Sequence, residues 1–123
     1  MQTILVIEDD SFLKNLEAAK FTKAGYTVLT AMTPEEVDAA LATATPVVIL
    51  LDLMLPGTDG FALLGKIRAN EATKTTPVIV FSNLSEESEV KRIMDSGATA
   101  FMTKSNFTLE EVIEKIKSLT PTV

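Results

Sequence analysis

Residues 46–60 read PVVILLDLMLPGTDG, and the fold follows from this stretch. Val47 to Leu51 run without a polar break, the pattern of a short parallel strand buried on both faces. A carboxylate, Asp52, comes next, and Pro56-Gly57 with Thr58-Asp59-Gly60 supplies turn chemistry. Asp52 therefore stands where a central strand runs out into a loop, the edge at which open α/β sheets bind ligands. On its own it could do no more than cap or solvate the strand end. What stands at the ends of the other strands weighs against that.

Upstream, Thr33-Pro34-Glu35-Glu36 is a capping box with proline at the first helical position, and Val37, Ala40, Leu41 and Ala44 form an amphipathic face behind it. Tyr26 to Thr30 alternates like an edge strand. A helical pattern from Phe12 to about Gly25 places Leu13, Leu16 and Ala19 on one face. Thr3 to Ile7 is a buried strand that stops at Glu8-Asp9-Asp10.

Downstream, Leu63, Leu64 and Ile67 mark a helix, and 70–76 is a polar loop. Pro77 to Phe81 is a further buried strand ending at Ser82-Asn83. Acidic residues in 85–89 suit a helix N-terminus; Val90, Ile93 and Met94 give that helix its apolar side, and Gly97 suits its end. Ala100 to Thr103 is a short strand ending at Lys104, and Thr108-x-x-Glu111 opens a last helix with Leu109, Val112, Ile113 and Ile116 on its face. This is α/β, a (βα)₅ chain whose short connections demand a doubly wound parallel sheet with right-handed crossovers. The three purely apolar strands belong inside and the two mixed ones at the edges, which gives the order 2-1-3-4-5, a flavodoxin-like arrangement.

The 123 residues predict one domain, 1–123, large enough for its own core. There is no cysteine and no histidine, which removes disulfides, thiolate or imidazole metal sites and every His-containing triad. A net charge of −6 argues against direct nucleic-acid binding. No apolar run reaches membrane-spanning length and nothing resembles a signal peptide, so a cytoplasmic protein without a membrane partner is expected.

All carboxyl ends of a parallel sheet lie along one edge. There the sequence places Glu8, Asp9 and Asp10, then Asp52, Ser82 and Lys104. Singly these have bland readings: a helix cap, a turn hydroxyl, a solvated lysine. Together they form a site. Two carboxylates about 4 Å apart repel by roughly 4 kcal/mol at an effective dielectric of 20, so the cluster must hold a proton or a cation. Oxygen ligands alone point to Mg²⁺ or Mn²⁺. An ionised Asp is a competent nucleophile toward phosphorus, and an ammonium and a hydroxyl nearby supply positioning and charge neutralisation.

At this point the chain resembles the receiver domain of two-component response regulators, the CheY-like family, over its whole length. ILVIEDD looks like the acidic opening strand, LLDLMLPGTDG like the phosphoacceptor block, VIVFSN and GATAFMTK like the switch segments. The resemblance implies Asp52 as phosphoacceptor and Glu8 and Asp9 with Asp52 as the Mg²⁺ ligands, helped by the Met54 carbonyl. It implies Ser82 and Lys104 as phosphoryl contacts and Phe101 as the aromatic switch. It also implies Met54 and Leu84 as residues flanking the path of hydrolytic water. The partners would be a sensor histidine kinase or phosphotransfer protein, and a downstream protein docking on the helix 4–strand 5–helix 5 face of a monomer or weak dimer. Two departures stand out: Ser105 replaces the usual proline after Lys104, so that peptide is expected trans, and Phe101 lacks a tyrosine hydroxyl.

Three other readings compete. An aspartyl-nucleophile phosphatase commonly carries a second acid two residues after the nucleophile, where this chain has Met54. A flavin or nucleotide binder needs a phosphate-cradling first loop, whereas Glu8-Asp9-Asp10 repels phosphate. A receiver-shaped scaffold without turnover would not need the full set of site residues.

Overall fold

Strands and helices alternate strictly through the described residues, 2–55, 57–83 and 86–120, of this computed structural model. In chain order they are β1 (Thr3–Ile7), α1 (Ser11–Lys23), β2 (Thr27–Ala31), α2 (Pro34–Thr43), β3 (Val48–Leu51), α3 (Gly60–Ala69), β4 (Val78–Ser82), α4 (Glu87–Asp95), β5 (Ala100–Thr103) and α5 (Leu109–Leu119). The sheet is parallel, in the order β2-β1-β3-β4-β5, as the distribution of apolar strands requires.

Alternation along the strands divides the interior in two. Leu5, Ile7, Ile49, Leu51, Val78 and Val80 face Val37 of α2, Leu63, Leu64 and Ile67 of α3 and Ile93 of α4. Ile4, Val6, Val48, Leu50, Ile79 and Phe81 face Phe21 of α1 and Leu109, Val112 and Ile116 of α5. β1, β3 and β4 thus bury both faces, which is why they are apolar between Thr3, at the entry of β1, and Ser82, at the end of β4.

The caps follow the sequence closely. Thr108 and Glu111 satisfy each other's backbone N–H groups in a full capping box. Thr33 Oγ1 accepts from Glu36 N–H at 3.2 Å, while the Glu36 carboxylate reaches one residue further back, to Met32 N–H. Gly97, at φ +113°, ends α4, and Ala98 N–H returns to the Ile93 carbonyl. α4 is the lightly held element: Ile93 is its one fully buried residue, and Glu86 at its N-cap makes no side-chain capping bond. At the start of α3 a Cβ on Gly60 would stand 2.7 Å from the Leu53 backbone, so only glycine lets α3 close over the residue following Asp52.

α1 differs from its reading in the sequence. Its buried residues are Glu17 and Phe21, while Leu16 is 38% exposed and Ala19 also faces solvent. The apolar spacing pointed to the neighbouring face because a carboxylate occupies a core position.

Arg68, in the last turn of α3, fastens three elements. Its guanidinium donates to the carbonyls of Gly97 at 2.9 Å, Thr73 at 3.0 Å and Thr76 at 2.6 Å. It therefore ties the loop entering β4 and the exit of α4 to α3. Arg68→Ala should lower stability by about 2–4 kcal/mol, since bonds from a charged donor contribute roughly 1.5–3 each and this one is partly exposed. Arg68→Lys should recover little, because an ammonium cannot span the fork. Urea unfolding checks this; a wild-type midpoint for Arg68→Lys would show that the fork geometry is irrelevant.

Candidate functional site

Backbone register builds the site. Leu51 pairs with Ile7 on one side and Val80 on the other, so the residues just past β1 and β3 come side by side. The ladder runs one residue beyond the strands: Asp52 N–H donates to the Ile7 carbonyl at 3.0 Å, Glu8 N–H to Ala31 at 3.0 Å and Lys104 N–H to Ser82 at 2.9 Å. These bonds pin Glu8, Asp52 and Lys104 along one edge before any side chain acts.

The side chains then close on one another. Lys104 Nζ donates to Asp52 Oδ2 and to Glu8 Oε1, each at 2.8 Å. Met54 N–H donates to Asp52 Oδ1 at 3.0 Å, and Asp10 N–H to Glu8 Oε2 at 3.3 Å. Asp10 caps α1, accepting from Leu13 N–H at 3.0 Å. Oxygens of Glu8, Asp9 and Asp52 lie within 4.8 Å of one another; Glu8 and Asp52 are buried and Asp9 half-buried. The Lys104–Ser105 peptide is trans, and Lys104 still reaches both carboxylates.

Burial works on each group, and the hydrogen bonds decide the outcome. Burial, with the Asp52 charge added, pushes the Glu8 carboxyl up to about 7 against the pull of Lys104. Burial pushes Asp52 up as well, but the bonds from Lys104 and Met54 N–H outweigh it and hold that carboxyl below its ordinary value. Burial would lower Lys104, and its bonds to Asp52 and Glu8 raise it instead. Asp52 is thus the ionised member of the pair and Glu8 the one that takes up a proton.

Of the other sequence candidates, Ser82 is fully buried at the end of β4 and opposite Thr103. Phe101 is half-buried against the α2–α3–α4 side of the sheet. The Met54 side chain is exposed beside Asp52, and Leu84 lies outside the described residues. Sequence reasoning missed Glu17, a wholly buried carboxyl whose surroundings include the charges of Glu8, Asp52 and Lys104. Its only signal was a charge four residues before Phe21, on the same helical face.

The sequence profile of the response regulator receiver domain matches residues 4–117. The chain belongs to this family. The receiver domain is 34% identical over 119 residues to the DNA-binding dual master transcriptional regulator RpaA of Synechocystis, covering 97% of this chain and 49% of that protein. It is 36% identical over 114 residues to the transcriptional regulatory protein KdpE of Staphylococcus aureus, covering 93% of this chain and 48% of that one. It spans about half the length, or less, of the curated relatives it matches. Among solved structures, the receiver domain of a DNA-binding response regulator from Colwellia psychrerythraea superposes with a TM-score of 0.83 at 30% identity, covering 96% of this chain and 99% of that one. The chemotaxis protein CheY4 of Vibrio cholerae shares the fold, with a TM-score of 0.89 at 24% identity over 97% of this chain and 98% of that one. Receiver domains are phosphoacceptor regulators rather than ordinary enzymes, hold Mg²⁺ in an acidic pocket, and work with histidine kinases or phosphotransfer proteins. That family places the phosphatase and flavin-binding readings behind the regulatory one. No helix among the described residues is long and apolar enough to cross a membrane.

Proposed function

We propose that this receiver domain is a phosphorylation-switched signalling module whose phosphoacceptor is Asp52. The observation that carries the reading is the buried Asp52 carboxylate, kept ionised by Lys104 and Met54 N–H beside Glu8 and Asp9. A carboxylate oxygen of Asp52 bonds to the donor's phosphorus as the P–N or P–O bond of the donor breaks, and the electron pair leaves with the donor atom. The product is an acyl phosphate. Lys104 follows the charge from the carboxylate onto the phosphoryl oxygens. Treatment with acetyl phosphate and Mg²⁺ should add one phosphoryl group by intact mass; no adduct under conditions where the domain is folded would refute the reading.

The donor set fits a hard dication, with three converging carboxylates against one ammonium. Glu8, Asp9 and Asp52 would hold it, with the Met54 carbonyl by family resemblance. Bound there, Mg²⁺ or Mn²⁺ supplies charge neutralisation for the phosphoryl oxygens. At ten times its Kd the ion should stabilise the fold by about 1.4 kcal/mol, and Asp9→Asn should remove most of this gain. Coincident wild-type melts with and without Mg²⁺ would remove the metal from the account.

The output reading places the downstream partner on the α4–β5–α5 face. Ser82 ends the strand that leads towards α4, and Phe101 lies across from Val80 on β5. Drawing Ser82 toward a phosphoryl group gives Phe101 room to turn inward, held by packing alone. A single domain over 1–123, a monomer or weak dimer, a cytoplasmic site of action and no direct nucleic-acid contact go with this reading.

The acyl phosphate should also be long-lived. Met54 is apolar and exposed beside Asp52, so it covers the approach of water without orienting it; Leu84 is its proposed counterpart. Met54→Asn should speed dephosphorylation by up to about 10²-fold at constant Mg²⁺. A rate equal to or slower than wild type would dismiss the shielding.

A further inference from the structure

Glu17 occupies a position made for an apolar side chain. It lies in the second turn of α1, four residues before Phe21 and on the same face, and it is 0% exposed. Neither carboxyl oxygen has a hydrogen-bond partner. Phe21 belongs to the apolar cluster that α1 and α5 share over β1 and β3. The charges that bear on Glu17 are few. Glu8 past β1, Asp52 past β3 and Asp10 at the helix's own cap are negative, and Lys104 past β5 is positive. α5 turns Leu109, Val112 and Ile116 inward and keeps Glu110 at the surface, paired with Lys20 at 2.8 Å. β2 has no titratable residue. An ionised carboxyl without a partner is among the costliest groups to bury, so a seated Glu17 carries its proton.

We infer that Glu17 is a proton-dependent latch for α1: protonated, it lets the helix seat against the sheet, and ionised, its carboxylate leaves the interior and the middle of the helix lifts with it. Burial, reinforced by the negative charge of Glu8, pushes the carboxyl up to about 8, which places release at mildly alkaline pH. α1 begins at Ser11, directly behind Glu8, Asp9 and Asp10, so a lifted helix slackens the acidic loop. The latch belongs to the fold and does not depend on Asp52 accepting phosphate.

The sign follows from proton counting. An unfolded Glu17 loses its proton near the ordinary value of 4.5, whereas the folded one keeps it to about 8. Between these values the unfolded chain binds fewer protons, so stability falls as pH rises, by up to about tenfold in the folded-to-unfolded ratio per pH unit. Glu8 acts in the same direction but stops at about 7, leaving the interval from 7 to 8 to Glu17.

The test is urea unfolding of the full chain in chelator from about pH 6 to 9, for wild type, Glu17→Leu and Glu17→Gln. It is paired with a ¹³C-carboxyl titration of Glu17 and amide exchange along α1. The ratio of folded to unfolded Glu17→Leu, relative to wild type, should rise by about tenfold or more between pH 6 and 8. Glu17→Gln should show the same flattened slope even if its unpaired amide costs stability. Wild-type amides around Glu17 should exchange faster above pH 8 than base catalysis alone explains, and those of Glu17→Leu should not. Parallel stability curves for wild type and Glu17→Leu, or a Glu17 carboxyl titrating at its ordinary value, would overturn the latch. Should Glu17→Leu fail to fold, the wild-type titration and the Glu17→Gln slope decide alone.

Discussion

The Asp52→Asn protein, incubated with acetyl phosphate and Mg²⁺, should gain no phosphoryl group while the wild type gains one. An amide oxygen is not a competent nucleophile toward phosphorus at neutral pH, so the loss should exceed about 10²-fold and approach completeness. Two other carboxylates stand within 4.8 Å and are the obvious substitutes. Glu8 is a poor one, because it is buried and held by Lys104 at 2.8 Å. Asp9 is half-buried and lacks the Lys104 bond that would follow charge onto the phosphoryl group. The variant should keep its fold, since an Asn Oδ1 can still accept from Met54 N–H as Asp52 does at 3.0 Å. An adduct of undiminished yield on folded Asp52→Asn would move the phosphoacceptor elsewhere in the cluster.

Lys104→Met should lower the stability of the metal-free domain by about 3–5 kcal/mol near pH 8, the usual cost of removing one partner from a buried ion pair. Lys104 is 15% exposed and its two partners less than 10%, so water does little to replace the ammonium. Methionine keeps most of the aliphatic stem, which leaves charge as the principal loss. The pH dependence separates the two contributions. Glu8, raised to about 7 from 4.5, contributes stability that is present at low pH and lost as pH rises through that window. Near pH 5.5 it is already protonated in wild type and variant alike, so the Lys104→Met penalty should shrink to roughly half or less. Equal penalties at the two pH values in urea unfolding would show that packing of the stem, not the charge, is what Lys104 contributes.

The strand pattern, the sheet order and the edge on which Glu8, Asp9, Asp52 and Lys104 meet were all legible in the sequence. The reason is physical: strands buried on both faces are apolar through their middles, so the first polar residue towards the carboxyl end of each marks the edge. β2 and β4 end one residue later than the apolar pattern suggests, at Ala31 and Ser82, because the backbone ladder sets those ends. Ser105 left open how Lys104 would be held; the bond from Lys104 N–H to the Ser82 carbonyl settles it without a proline. The face of α1 was misread because Glu17 breaks the rule that periodicity relies on. Arg68 was invisible for a different reason. A cation in the last turn of a helix reads as a solvated partner of the helix dipole, and carbonyls at 73, 76 and 97 leave no trace in side-chain pattern.

Ile93 is the one fully buried residue of α4 and its N-terminus has no side-chain cap; beyond that the helix is held by Arg92 over the Phe61 ring and by the Arg68 bond to Gly97 at its exit. Burial of an isoleucine contributes about 1.5–3 kcal/mol, a small part of the roughly 5–15 kcal/mol that typically separates a folded domain from its unfolded chain. Detaching this helix is therefore a local event, reachable many times for each global unfolding. Its amides should be among the first in the molecule to exchange with solvent, while those of β1, β3 and β4 wait for the whole fold to open. The few hydrogen bonds proposed for Ser82 on phosphorylation would be comparable in size to what keeps α4 in place. The helix that the proposed output face relies on is thus one whose motion costs little.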